Sequence, residues 1–138
     1  MVRPRMSDLR ISTDNIDGWL QSIRVDGELD AYTAPELMEA VTQILDQGAA
    51  WLVIDLRQVD YIDSVGLGIL IGGAKRAGEK NGDMAVACGK PNVVRVFEVS
   101  GTAQLLNVVD DLTRAVEILS AKHAARGGCE ADGAGGDQ

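Results

Sequence analysis

The chain has 138 residues, enough for one domain that buries a core without disulfides or metal. With 46% hydrophobic and 25% charged residues, its composition is that of a globular protein rather than a fibrous or unfolded one. A net charge of -8 argues against nucleic-acid binding through a basic, phosphate-contacting patch and is compatible with a partner of basic or mixed surface.

The opening MVRPRMSD carries charge but no apolar run follows it, so residues 1–8 read as a flexible lead-in rather than a secretion signal. Leu9–Thr13 and Trp19–Val25 read as two strands joined by a polar turn, Asp14–Gly18. Asp26-Gly27 is a turn signal, with a short strand-like piece, Glu28–Ala31, behind it. A helix follows. Thr33 is its expected N-cap, Pro35 sits in the first turn, and Glu36 completes a capping box. Ala34, Leu37, Met38, Val41, Ile44 and Leu45 form its apolar stripe, and Gly48 ends it.

Leu52–Leu56 is a short apolar run expected to be a buried strand, leading into a polar loop, Arg57–Asp63. Ser64 then opens a helix as its expected N-cap, with Leu67, Leu70, Ile71 and Ala74 on one face. Gly66, Gly68, Gly72 and Gly73 make this helix narrow, for close packing or for a flat surface offered to a partner. Asn81-Gly82 is a turn, and Met84–Cys88 a strand. Pro91 opens a helix facing inward through Val93, Val96 and Phe97 and ending at Ser100-Gly101. Leu105–Val109 is a last strand, and Asp110 or Asp111 caps a helix built on Leu112, Ala115, Val116 and Leu119. The Gly-rich acidic tail has almost nothing to bury; residues 9–123 are the expected domain and 124–138 a disordered tail. The order is α/β: a mixed sheet of about four to five strands with about four helices packed on it.

The apolar stretch Val65–Ala74 has about half the length needed to cross a bilayer. Cys88 and Cys129 show no metal-ligand or CxxC spacing, which suits a reducing cytoplasm. A soluble cytoplasmic protein without cofactor or metal is expected.

Ser64, held at an exposed strand-to-helix corner, has three readings. It is a plain cap, or a nucleophile whose only candidate base is His123, or a phosphoacceptor tolerated by the free amides of a helix N-terminus. Two motifs mislead. GLGILIGG follows a strand, but the third glycine of a dinucleotide loop falls on Ile71. Asp55 and Lys90-Pro91 imitate a phosphoacceptor receiver domain, yet no acidic pair ends the first strand to hold magnesium.

Two stretches together, DGELDAYTAPEL (Asp26–Leu37) and YIDSVGLGILIG (Tyr61–Gly72), closely resemble the anti-sigma factor antagonists of bacterial partner-switching systems, single-domain members of the STAS family. The resemblance covers about Leu9 to Leu119, element order included, and implies the STAS fold. It implies that the chain binds an anti-sigma factor of histidine-kinase-like fold, freeing a sigma factor for transcription. It implies phosphorylation by that kinase on the serine of D-S-x-G, here Ser64, reversed by a PP2C-type phosphatase. The chain is then substrate and ligand, not enzyme. Asp30, Tyr32, Thr33, Asp60, Asp63, Ser64, Gly66 and Leu67 are the expected partner-binding residues. Val65 stands where many relatives have serine or threonine, leaving Ser64 the only acceptor in the motif. A STAS module regulating a transporter or a signalling scaffold is the alternative.

Overall fold

The computed structural model describes residues 9–126; the expectations for residues 1–8 and for the tail from Gly127 lie outside them. The elements are β1 (Leu9–Asp17), β2 (Leu20–Leu29), α1 (Ala34–Asp46), β3 (Trp51–Ile62), α2 (Ser64–Glu79), β4 (Asp83–Ala87), α3 (Pro91–Ser100), β5 (Val108–Val109) and α4 (Leu112–Ala125). They form one five-stranded sheet in the order β1-β2-β3-β4-β5. β1 and β2 pair antiparallel as a hairpin, while β2, β3, β4 and β5 run parallel. Each parallel step needs a crossover, and α1, α2 and α3 supply them.

The two-residue period of the strands divides the core in two. Leu52, Ile54, Leu56, Met84 and Val86 point into the larger cluster, shared with Leu37 and Val41 of α1, Leu70 and Ala77 of α2, and Val93 and Phe97 of α3. Trp51, Val53, Ala85 and Ala87 point the other way and pack on Ala115 and Leu119 of α4. This two-sided cover is why Trp51–Ile54 reads as an unbroken apolar run rather than an alternating one.

Several boundaries differ from the sequence expectation. β1 extends to Asp17 and β2 begins at Leu20, one residue after the expected Trp19, so their connection is the two-residue turn Gly18-Trp19, not Asp14–Gly18. Asp26-Gly27 does not turn the chain. β2 runs through it, with register shifts between Arg24 and Asp26 and between Gly27 and Glu28, and Gly27 takes a φ of 122°. An Asp-Gly pair supplies positive φ to a bulge as readily as to a hairpin, so the two are alike in sequence. The expected loop Arg57–Asp63 is strand as far as Ile62, because β2 continues to pair with it, Leu29 opposite Ile62. Met38 leaves the α1 stripe and is exposed, Leu105 is exposed, and β5 shrinks to two residues. Asp111, not Asp110, caps α4 by accepting from Arg114 N at 2.7 Å. α4 continues through Ala125, past the expected boundary at residue 123. Among the described residues no helix is long and apolar enough to cross a membrane.

Candidate functional site

β2 and β3 are parallel neighbours, so their C-terminal ends lie side by side and the segments leaving them meet. One is the turn Asp30–Thr33 that enters α1; the other is Asp63, which enters α2. Asp63 joins them. Its backbone N–H donates to Leu29 O at 3.1 Å, and its Oδ2 accepts from Ala31 N at 3.2 Å. Its Oδ1 accepts from Val65 N at 3.0 Å and Gly66 N at 3.1 Å. Asp63 is therefore the N-cap of α2, and Ser64 is the first helical residue rather than the cap. Both types cap well, but a carboxylate also meets the positive end of the helix dipole. Relieved of capping, Ser64 is exposed, and among the described residues its hydroxyl has no hydrogen-bond partner.

The other expected site residues divide into surface and support. Asp30 Oδ1 accepts from Tyr32 N at 2.9 Å and Thr33 N at 3.0 Å, which shapes the turn. That turn leaves Tyr32 60% exposed. Thr33 is 1% exposed; its hydroxyl donates to Glu28 O at 2.7 Å and accepts from Asp30 N at 3.1 Å. The expected capping box with Glu36 is absent, since Thr33 makes no side-chain cap bond and Glu36 N reaches only Thr33 O. Gly66 is buried, and a Cβ there would lie 2.8 Å from Leu29 O, so glycine is what lets α2 press against the end of β2. Leu67 is buried in the core. Asp60 is exposed and paired with Lys90, and Asn92 Nδ2 donates to Asp60 O at 2.7 Å.

The misleading residues acquire other partners. Asp55 is buried within β3 and held by Arg57, Nε to Oδ1 at 2.9 Å and Nη2 to Oδ2 at 3.0 Å. Burial pushes the Asp55 carboxyl upward, but the Arg57 side chain and backbone N–H, with the charges of Arg57 and Arg24, outweigh it and hold the carboxyl below its ordinary value. His123 stacks on Trp19, centroids 3.8 Å apart and planes at 3°, and meets Trp51 edge-on at 5.2 Å. Trp51 begins β3 and Ser64 follows its end, on the order of 30 Å away at the usual rise per strand residue. His123 therefore cannot serve Ser64 as a base.

The sequence reading missed part of this surface. Tyr61 and Val65 are exposed on either side of Asp63 and Ser64. Between the N-terminal turn of α2 and α3 lies an open groove of about 420 Å³. Ile62, Leu67, Val96 and Val99 make it apolar, and Asp63, Ser64, Asn92, Arg95 and Ser100 contribute its polar side chains. Val99, at 77% exposure, falls outside the Val93–Phe97 stripe of α3. An aliphatic residue off the buried face was the available signal. On the far side of Ser64, Gly68 and Gly72 have nothing within 4 Å of a built Cβ, whereas Gly73 packs against Met84 and Val41. Gly66, Gly68, Gly72 and Gly73 thus serve both purposes expected of them, close packing inward and a flat face outward.

Comparison with known proteins identifies the family. The STAS domain family model matches residues 11–115. A Staphylococcus aureus protein named anti-sigma-B factor antagonist is 33% identical over 101 residues, covering 73% of this chain and 93% of the relative. An anti-sigma factor antagonist from Mycobacterium paratuberculosis superimposes with a TM-score of 0.75 at 26% identity, over 81% of this chain and 94% of that one. The unphosphorylated form of the anti-sigma factor antagonist SpoIIAA shares the fold, with a TM-score of 0.68 at 19% identity over 86% of this chain and 97% of that one. The chain belongs to the STAS domain family and, within it, to the anti-sigma factor antagonists.

Proposed function

We propose that this protein, when Ser64 is unmodified, binds an anti-sigma factor with a histidine-kinase-like fold and so frees a sigma factor for transcription, and that phosphorylation of Ser64 switches the binding off. The observation that carries this reading is the state of Ser64: an exposed hydroxyl at the start of α2, with no partner among the described residues, beside the exposed apolar side chains of Tyr32, Tyr61 and Val65. Aromatic and aliphatic groups surrounded by polar ones are what a protein partner covers. Asp30, Tyr32, Asp60, Asp63 and Ser64 form the contact face. Thr33, Gly66 and Leu67 support it from below.

In the switching step the Ser64 hydroxyl oxygen attacks the γ-phosphorus of ATP held by the partner. The oxygen–phosphorus bond forms, ADP leaves, and the hydroxyl proton passes to a base of the kinase. A PP2C-type phosphatase returns the serine by adding water and releasing phosphate. The phosphate brings about -1.5 to -2 charges to a face that already carries Asp60 and Asp63. A partner carboxylate ~5 Å away is then repelled by about 3 kcal/mol per unit charge at an effective dielectric of 20. About 1.4 kcal/mol is tenfold in affinity, so one such contact removes a micromolar complex. Titrating the anti-sigma factor with wild type, Ser64→Ala and Ser64→Glu tests the reading. Wild type and Ser64→Ala should bind alike, with Ser64→Glu at least tenfold weaker; equal binding by all three contradicts it.

A further inference from the structure

Of the polar side chains lining the α2–α3 groove, most are already engaged. Asp63 accepts from three backbone amides, Asn92 donates to Asp60 O, and the Ser100 hydroxyl bonds Phe97 O and Thr102. Two are left over: the Ser64 hydroxyl and the Arg95 guanidinium, neither with a partner among the described residues. Arg95 is also the only cation lining the groove among those residues. Lys90, the next cation along the chain, is paired with Asp60.

From this we infer that Arg95 is the binding residue for a phosphoryl group on Ser64: the modified serine and Arg95 pair across the mouth of the α2–α3 groove. A guanidinium presents a planar fork of N–H donors that matches phosphate oxygens two at a time, and an exposed arginine is free to swing toward a new dianion. Phosphate placed opposite an arginine creates charge-assisted hydrogen bonds that order the groups around it. Asp63, which lines the groove beside Ser64, has its oxygens committed to backbone amides and offers a phosphate no donor, whereas the Arg95 guanidinium does. The pair would close over the mouth of the groove, where Val99 is exposed and Val96 half-buried above the buried Ile62 and Leu67. Phosphorylation then remodels the groove beside Ser64 as well as presenting a charge to the partner. This rests on Ser64 being the phosphoacceptor.

The test installs phosphoserine at position 64 during translation, without any kinase, and follows its ³¹P resonance against pH in wild type, Arg95→Ala and Arg95→Lys. The pair requires the wild-type phosphate to titrate lower than that of Arg95→Ala by about half a pH unit or more, with Arg95→Lys between them. It also requires the gap to narrow in high salt. Coincident titrations in all three proteins overturn the assignment. A general structural role for Arg95 would alter the unphosphorylated proteins too, so their unchanged amide spectra are part of the expected result. Because the phosphoserine is supplied directly, failure of an anti-sigma kinase to modify Ser64 would count against the switch alone. Kinase-modified Ser64 with coincident titrations would count against Arg95 alone.

Discussion

Cys88 follows β4 at 1% exposure, and burial pushes its thiol up to about 11. At pH 8 almost none of it is thiolate, which is the reactive form. Cys88 is therefore expected to resist a thiol reagent such as Ellman's in the native protein and to react at once in denaturant, read in a Cys129→Ser background; fast native labelling would contradict its burial. Asp55 carries a pH dependence of known sign. Its folded carboxyl lies below the ordinary 3.8, so its contribution is complete above that value and is lost as pH falls through the folded one. Asp55→Asn should cost about 1–2 kcal/mol at pH 7, discounted because Arg57 is partly exposed. The deficit against wild type should begin to shrink below about pH 4 and close as pH falls through the folded value, as followed by urea unfolding at several pH values. A gap that persists to pH 2 would assign it to packing instead. Single residues were legible where chemistry decides. Ser64 stood out because an apolar strand, a polar boundary and a helical stripe bracket it. Its displacement from the cap by Asp63 was not legible, since adjacent Asp and Ser are both good caps and only geometry selects one.

Among the elements, α2 is the one whose sequence departs furthest from intrinsic preference. Its glycines separate cleanly by what surrounds them. Gly66→Ala would put a methyl 2.8 Å from both Leu29 O and Leu29 Cγ, and backbone cannot step aside cheaply. It should destabilise by about 1–3 kcal/mol. Gly68→Ala meets nothing within 4 Å and should stabilise by up to about 1 kcal/mol through helix propensity. Chemical denaturation of the two variants checks the contrast, and equal effects would refute it. The helices were readable because each has a stripe of 3.6-residue period and a proline or a capping residue at its start. The strands were less so. Asp26-Gly27 and Arg57–Asp60 look like turn and loop because local composition dominates there, whereas pairing with a neighbouring strand, a non-local effect, keeps both extended.

At the scale of the molecule the two ends of the parallel sheet have different work. At the start of the strands, His123 stacks on Trp19 and Trp51 meets both rings edge-on, Arg126 lies over Trp51 and donates to Gly82 O at 2.7 Å, and Asp83 pairs with Lys122. These contacts fasten α4, the one helix on its face of the sheet among the described residues, and leave the opposite end free to present Ser64. The mixed sheet followed from the order of elements, because an antiparallel start and then alternating strand and helix admit few topologies. The α2–α3 groove did not follow. It depends on how far apart two non-adjacent helices settle, and no local pattern encodes that distance.

Ser64 is proposed to be a phosphorylation switch. Intact-protein mass spectrometry after incubation with ATP and the cognate anti-sigma kinase tests it most directly, with Ser64→Ala alongside. One added phosphate on the wild type, absent from Ser64→Ala, is the predicted result. An unmodified wild type, or a phosphate that persists in Ser64→Ala, would contradict it.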